Sequence, residues 1–207
     1  MNKCFIVGAG DFFGLDVLPD GDDYIIAADG GYDYLERLGI HPDLVIGDFD
    51  SRSGEIPEHE NILELPVMKD DTDIGAAVCA GFEKGYTEFH IYGGTGGSRF
   101  SHTMANIQLL ANIAEQGGRG FLYGQTEIST VILDSEFVYP AQDKGYISVF
   151  SLSDASEGVS IKGLKYELED ATLKNTFALG VSNEFKGEEV SIKVDTGTLL
   201  IVYEKEL

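Results

Sequence analysis

Basic residues are scarce in this 207-residue chain, which has 14 lysines and arginines against 36 aspartates and glutamates and a formal net charge of -22. So negative a surface opposes binding to nucleic acid and to anionic membranes. An anionic substrate would need a cation beside it. Apolar runs of membrane-spanning length and a basic leader are also lacking, so we expect no membrane span, no signal peptide and a cytoplasmic protein.

Cysteine is equally scarce, with Cys4 in a strand-like segment and Cys79 in a helix-like one. The two lack the spacing of metal ligands, so we expect both to be small buried apolar residues without a redox role. Hydrophobic residues make up 43% of the chain, which is enough for the core of one large domain or two small ones.

Strand-like and helix-like segments alternate in the first half. The predicted strands are short apolar runs, namely Cys4 to Val7, Tyr24 to Ala28, Leu44 to Ile46 and Phe89 to Tyr92. The predicted helices each end near a glycine, and they are Tyr32 to Leu38, Ile74 to Lys84 and Thr103 to Glu115. This alternation predicts an α/β domain with a mostly parallel sheet.

The pattern changes after Leu133, where short β-rich runs are separated by turn residues. They predict an all-β sandwich with antiparallel strands. The stretch from Asp134 to Gly145 contains Pro140 and Asp143, and we place the joint between the domains there. The predicted domains are therefore residues 1–133 and 134–207.

Three aspartate-bearing segments are the most informative feature: Asp29-Gly30-Gly31, Gly47-Asp48-Phe49-Asp50-Ser51 and Lys69-Asp70-Asp71-Thr72-Asp73. The first two follow predicted strands, and open parallel sheets bind ligands at the carboxyl ends of their strands. Segments distant in sequence are therefore expected to meet at one site. The alternative is that Asp48 and Asp50 shape a polar turn and that Asp70, Asp71 and Asp73 cap a helix.

Within these segments Asp48 and Asp50 are two residues apart, so in extended chain their carboxylates share a face. Such a pair suits magnesium, which is usually held by one or two carboxylates together with substrate phosphates and water. Asp73, at the start of a predicted helix, is the candidate third ligand.

A glycine-rich segment, Gly93-Gly94-Thr95-Gly96-Gly97-Ser98-Arg99, lies between a predicted strand and a predicted helix. Backbone N–H groups in that position can surround phosphate oxygens, although neither a P-loop nor a dinucleotide fingerprint is present. Arg99 can grip a phosphate with two hydrogen bonds. His102 is either a phosphate donor or a helix cap, and a plain connection remains the alternative for the whole segment.

The three aspartate segments in this order, followed by Gly96 to Asn106, resemble the thiamine pyrophosphokinase family. In the second half, Gly163 to Leu168 and Gly180 to Phe185 are similar to that family's thiamine-binding β-domain. The resemblance covers nearly the whole chain. It implies a homodimer that transfers a pyrophosphoryl group from ATP to thiamine with Mg²⁺ and releases AMP.

Roles follow from the resemblance for residues at matching positions. It implies metal ligands at Asp48, Asp50 and Asp73, and catalytic residues at Lys69, Asp70, Asp73 and Arg99. It implies nucleotide contacts at Asp29, Gly30, Gly31, Gly93, Gly94, Thr95, Arg99 and His102. Ser182 and Asn183 match the segment that faces thiamine across the dimer interface, so each active site would draw on two subunits.

Two departures from the family pattern bear on function. The usual Arg-x-Asp-His is here Arg99-Phe100-Ser101-His102, and no tryptophan is available to stack on thiamine, so a tyrosine or phenylalanine would have to do so. The alternatives are a metal-dependent phosphohydrolase, which the β-rich second half disfavours, and a non-catalytic nucleotide or thiamine sensor, which only Ser101 favours.

Overall fold

The computed structural model describes residues 2–48, 59–66, 72–96 and 100–206. The chain forms two compact units, Met1–Leu109 with Gly117–Gln125, and Leu110–Gln116 with Thr126–Leu207. Strand β7, defined below, belongs to the second unit because it pairs with a strand near the end of the chain. The division therefore falls one strand before the predicted boundary at residues 133 and 134.

The first unit alternates strands and helices. Its strands are β1 (Cys4–Val7), β2 (Tyr24–Ala28), β3 (Leu44–Gly47), β4 (Ile62–Glu64), β5 (Glu88–Tyr92) and β6 (Arg119–Tyr123). The helices are α1 (Gly31–Leu38), α2 (Asp73–Glu83) and α3 (Phe100–Glu115), of which the last begins in this unit.

The strands of the first unit form a parallel sheet in the order β6-β5-β1-β2-β3-β4. Strand β1 is buried along its whole length, which explains its uninterrupted apolar sequence. Ile6 pairs with Ile26 on one side and with Ile91 on the other. From β1 the chain continues to β2 on one side and returns later to β5 on the other, so the topological switch point lies between β1 and β5.

Helix ends follow their capping residues, as the sequence predicts. Helix α1 ends at Gly39, which adopts a left-handed φ of 68° and donates its N–H to the Glu36 carbonyl. Helix α2 begins after Thr72, whose hydroxyl accepts a hydrogen bond from the Gly75 N–H at 3.0 Å. The first cap therefore fixes the end of α1, and the second fixes the start of α2.

The second unit contains two antiparallel sheets. Its strands are β7 (Glu127–Leu133), β8 (Glu136–Tyr139), β9 (Tyr146–Ser151), β10 (Ala155–Lys162), β11 (Leu168–Lys174), β12 (Gly180–Glu184), β13 (Val190–Lys193) and β14 (Thr198–Glu204). One sheet has the order β12-β9-β14-β7, and the other has the order β11-β10-β13-β8. Alternate side chains of these strands, such as Ile147 and Val149, are buried between the sheets. The predicted α/β domain followed by a β-sandwich is confirmed.

Two details of the structure differ from these expectations. The stretch predicted as a joint contains β8, in which Phe137 is buried and which pairs with β13 in register. Cys4 is buried as expected, and burial raises its pKa to about 12, whereas Cys79 is exposed on the outward side of α2.

Among the described residues, none of the helices is both long and apolar enough to cross a membrane.

Candidate functional site

Two glycine turns meet at the switch point of the first unit. Gly8 and Gly10 follow β1, and they donate hydrogen bonds of 2.8 Å to the carbonyls of Tyr92 and Gly93 at the end of β5. Asp11 N–H continues the series by donating to the Thr95 carbonyl at 3.2 Å. The loops after β1 and β5 are therefore joined backbone to backbone, at the place where open α/β sheets bind ligands.

Only glycine allows these turns to approach so closely. A Cβ atom on Gly10 would lie 2.6 Å from the Gly93 carbonyl oxygen, and one on Gly93 would collide with the Gly8 carbonyl oxygen. Gly93 also has a φ of 62°, in the left-handed region that favours glycine. Gly93 and Gly94 are predicted site residues, whereas Gly8 and Gly10 were not predicted. A Gly-x-Gly directly after the first buried strand was the signal that pointed to them.

The Asp29-Gly30-Gly31 segment brings α1 to the same edge. Asp29 follows β2 with a φ of 50°, and its N–H donates to the Ile46 carbonyl of β3 at 2.8 Å. A Cβ on Gly31 would collide with the Val7 carbonyl at the end of β1. The motif therefore exists because the helix start lies directly against a strand end.

Two more of the predicted carboxylates, Asp48 and Asp73, lie at this edge too. Gly47 packs on Asp29, since a Cβ there would lie 3.2 Å from the Asp29 Cα, and the half-buried Asp48 follows Gly47 directly. Asp73 lies in the first turn of α2, and the neighbouring Ile74 reaches to within 2.6 Å of a Cβ built on Gly8. The structure thus brings Asp29, Asp48 and Asp73 to the carboxyl edge of one sheet.

Four predicted site residues lie outside the described part of the chain. They are Asp50, Lys69, Asp70 and Arg99. Within the ranges that the structure describes, no group of three or more histidine, cysteine, aspartate or glutamate side chains could hold a metal ion. The proposed ligand set of Asp48, Asp50 and Asp73 includes one of the residues outside those ranges.

Helix α3 contributes one exposed and one buried polar side chain. His102 is exposed on the first turn, whereas Asn106, one turn further on, is buried and donates from its Nδ2 to the Gly94 carbonyl at 2.7 Å. Thr95 Oγ1 donates to the Tyr123 carbonyl at 3.4 Å. Asn106 was not predicted as a site residue, although an asparagine on an otherwise apolar helix face indicates a buried hydrogen bond.

In the second unit, the two predicted substrate residues have different environments. Ser182 is exposed, has a φ of 55°, and donates its N–H to Ser148 Oγ at 3.0 Å. Asn183 is buried, and its Oδ1 accepts from the N–H groups of Tyr166 and Glu184, both at 2.9 Å. Its Nδ2 donates to the Tyr166 carbonyl at 2.6 Å. Asn183 therefore holds the backbone of Tyr166, whose ring is exposed.

A cavity of about 570 Å³ opens beside this segment within the second unit. Aromatic rings of Tyr146 and Phe185 line it, together with charged side chains that include Glu184 and Glu204. Glu184 is paired with Lys165 at 2.6 Å, and Glu204 accepts from the Tyr146 N–H at 2.8 Å. Lys144 and Lys205 line the cavity as well, so its walls carry charges of both signs beside the aromatic side chains.

Glycine turns and carboxylates at the switch point of an α/β unit, followed by a β-sandwich, describe a two-domain protein whose α/β unit has the usual ligand-binding edge of an open parallel sheet. The family model described as the thiamin pyrophosphokinase catalytic domain matches residues 15–121. The model described as the thiamin pyrophosphokinase vitamin B1 binding domain matches residues 135–199. The chain belongs to the thiamin pyrophosphokinase family, which is a family of enzymes.

Individual relatives agree with this assignment. A protein of Bacillus subtilis (strain 168) named thiamine pyrophosphokinase is 28% identical over 185 residues, which are 86% of this chain and 85% of that protein. The crystal structure of thiamine pyrophosphokinase from Bacillus subtilis is similar with a TM-score of 0.87 at 26% identity, and covers 100% of both chains. Thiamin pyrophosphokinase from Geobacillus thermodenitrificans, at 22% identity and a TM-score of 0.84 over 98% of this chain and 97% of that one, shares the fold.

Proposed function

We propose that this chain is a magnesium-dependent thiamine pyrophosphokinase, which transfers the pyrophosphoryl group of ATP to the hydroxyl of thiamine and releases AMP. The observation that carries the proposal is the meeting of two glycine turns and three aspartate-bearing elements at one sheet edge, in a member of this family. We also propose that it is a cytoplasmic enzyme.

The donor atoms at this edge fit a magnesium ion. Asp48 and Asp73 offer hard carboxylate oxygens, and Asp50 would add a third from the segment after Asp48. Magnesium keeps several waters and is completed by substrate phosphates, so a site with few protein ligands is typical of it. When bound, the ion would neutralise the phosphates and align them for displacement in a protein of net charge -22.

The remaining residues of the edge would bind and orient the nucleotide. Backbone N–H groups of Gly94 and Thr95, together with Asp29 and the glycines that follow it, form the proposed nucleotide contacts. The basic side chains of Lys69 and Arg99 would stabilise the charge that develops on the phosphates. His102, exposed at the start of α3, is the proposed additional donor.

The proposed chemical step is one in-line displacement. The thiamine hydroxyl oxygen forms a bond to the β-phosphorus, and the bond from that phosphorus to the oxygen bridging it to the α-phosphorus breaks, so that AMP leaves. The hydroxyl proton passes to an aspartate. Asp70 is the better candidate base, because a carboxylate that binds the metal, as proposed for Asp73, is a poor proton acceptor.

The second unit would bind thiamine as part of a homodimer. Ser182 offers an exposed hydroxyl, and Asn183 orders the loop that carries the Tyr166 ring, which is a candidate for stacking in a chain without tryptophan. Exposed apolar side chains on and beside the edge strand β12 support self-association, with Phe177 68%, Leu179 49% and Val181 49% exposed. Light scattering on the purified protein tests the dimer.

The function is tested by measuring AMP formation from ATP and magnesium with and without thiamine, with the product identified by mass. We expect AMP only when thiamine is present, together with thiamine pyrophosphate. Phosphate release that does not depend on thiamine would instead establish a hydrolase, and thiamine binding without turnover would establish a sensor. Either result would refute the proposal.

A further inference from the structure

Three consecutive carbonyl groups in the turn after β5 are each tied to a defined donor. The Gly93 carbonyl accepts from Gly10 N–H at 2.8 Å and the Thr95 carbonyl accepts from Asp11 N–H at 3.2 Å. The Gly94 carbonyl, between them, accepts from Asn106 Nδ2 at 2.7 Å. The outer two partners are backbone groups, whereas the middle partner is a side chain that mutation can change.

Fixing a carbonyl also fixes the next N–H group. The described peptide bonds are trans, and in a trans peptide the C=O of one residue and the N–H of the next point in opposite directions. The N–H groups of Gly94, Thr95 and Gly96 therefore point away from Gly10, Asn106 and Asp11 respectively. Successive N–H groups beside left-handed residues can form a backbone concavity that binds an anion, and Gly93 with φ 62° and Gly96 with φ 71° are such residues in this turn.

Asn106 is held firmly enough to set this orientation. It is 3% exposed, and a Cβ built on Gly94 would lie 3.1 Å from Asn106 Nδ2 and 2.8 Å from Leu122 Cδ1 on β6. The Gly94 peptide is thus packed between α3 and β6. Because a carbonyl can only accept, the contact requires the amide NH₂ of Asn106 on this side.

We propose that Asn106 is a positioning residue for the nucleotide: by holding the Gly94 carbonyl it aims the Thr95 N–H at a phosphate oxygen of the bound nucleotide. The inference rests on the proposed function in placing the nucleotide at this edge. It adds a residue that touches neither substrate nor metal and that acts through one peptide plane.

Two substitutions remove the donor. Asn106→Ala deletes the amide, and Asn106→Asp keeps its shape but faces the Gly94 carbonyl with a second acceptor. Each is paired with the same change at Asn112, which lies on the same helix, is exposed, and accepts from Gln116 at 2.8 Å. Thermal unfolding selects the variants that are folded at the assay temperature.

The main readout is the dissociation constant of ATP with magnesium, measured by calorimetry without thiamine. We expect both Asn106 variants to weaken binding about tenfold, the effect of one misplaced hydrogen bond to a charged group, while KM for thiamine stays unchanged. A purely structural role would lower the active fraction and leave the dissociation constant unaltered. Affinity within about twofold of wild type in a folded Asn106→Ala protein would overturn the inference.

If the Asn106 variants do not fold, the wild-type protein still decides the question. On titration of ¹⁵N-labelled protein with ATP and magnesium, the Thr95 amide resonance must shift as the site saturates, and a saturated protein without that shift would overturn the inference. Failure of the proposed function is distinguishable, because wild-type protein that binds ATP but makes no AMP with thiamine refutes only that function.

Discussion

In the first unit, contacts between backbone groups shape the glycine turns of the candidate site, whereas in the second unit a buried side chain shapes the candidate thiamine segment. At the β1 and β5 ends, Gly8, Gly10 and Gly93 bring main-chain atoms into contact, and no side chain would fit at these points. In the sandwich, the buried amide of Asn183 holds the Tyr166 backbone and leaves the ring exposed. The first arrangement suits a polyanion such as a triphosphate, and the second suits a ring.

The largest expected effect comes from Asp48→Asn, which removes one proposed ligand of the metal in the first unit. We expect the rate of thiamine-dependent AMP formation to fall about a hundredfold or more, because an amide cannot supply the charge that a carboxylate gives. Far-UV circular dichroism should be unchanged. Asp22→Asn, in the exposed loop before β2, is the matched control, and full activity of the Asp48 variant would contradict the assignment.

The second-largest effect is expected from Gly31→Ala, because a turn held by contacts between backbone atoms leaves no room for an added methyl group. Its Cβ would collide with the Val7 carbonyl, and we expect the free energy of unfolding to fall by about 3 kcal/mol or more. Gly21→Ala is the control, since a Cβ there meets nothing within 4 Å. Urea denaturation compares the two, and equal stability would show that the turns can move apart.

In the second unit, Asn183→Ala should lower stability as well as thiamine binding. It leaves the N–H and C=O of Tyr166 without their buried partner, which we expect to reduce the free energy of unfolding by about 2 kcal/mol. KM for thiamine should rise while KM for ATP stays the same. A rise in KM for ATP alone would assign this loop to the nucleotide instead.

Ser182→Gly separates binding from stability in the same strand. Glycine accepts a φ of 55° readily, so we expect the free energy of unfolding to change by less than about 1 kcal/mol. Loss of the hydroxyl should raise KM for thiamine about tenfold. Asp170→Gly, at a φ of 48° in the other sheet, is the matched control and should leave both KM values unchanged.

The smallest expected effect is on pH dependence, which should differ between the units because His90, a buried histidine with a shifted pKa, lies in the first. Burial lowers the pKa of His90, against the opposing effect of the hydrogen bond that the Glu88 carboxylate accepts from its Nε2, and its Nδ1 is hydrogen-bonded to the Tyr123 hydroxyl at 2.8 Å. The contribution of the neutral His90 ring to the free energy of unfolding is fully present above about pH 6.5, the pKa of histidine in the unfolded chain. It is lost as the pH falls through the lower pKa of His90 in the folded protein.

Between pH 7.5 and 5 the free energy of unfolding should therefore fall more in wild type than in His90→Phe. Amide exchange should locate the loss of protection in the first unit. An identical pH slope in the two proteins would contradict this origin of the acid sensitivity.

Sequence patterns predicted the architecture well, because the buried parallel strands are continuous apolar runs and the helix ends carry their caps. The strands β4, β6 and β8 were not predicted, since each is short and half-polar and is recognisable only through its partners. Strands β7, β11 and β12 were not predicted either. For the site, the Asp-Gly-Gly motif was visible, but the reason for it, collision with Val7, depends on a strand far away in sequence. Asn106 was not predicted for the same reason, because the Gly94 carbonyl that it binds lies in the turn after β5 and not in α3.

A crystal structure with an unreactive ATP analogue, magnesium and thiamine tests most directly whether the first unit binds the triphosphate and the second unit binds thiamine. We predict the triphosphate against the turns after β1 and β5, with the metal at Asp48 and Asp73, and the thiamine ring beside Ser182 of the sandwich. A triphosphate bound away from the glycine turns, or thiamine bound without any contact to the Ser182 segment, would contradict the account.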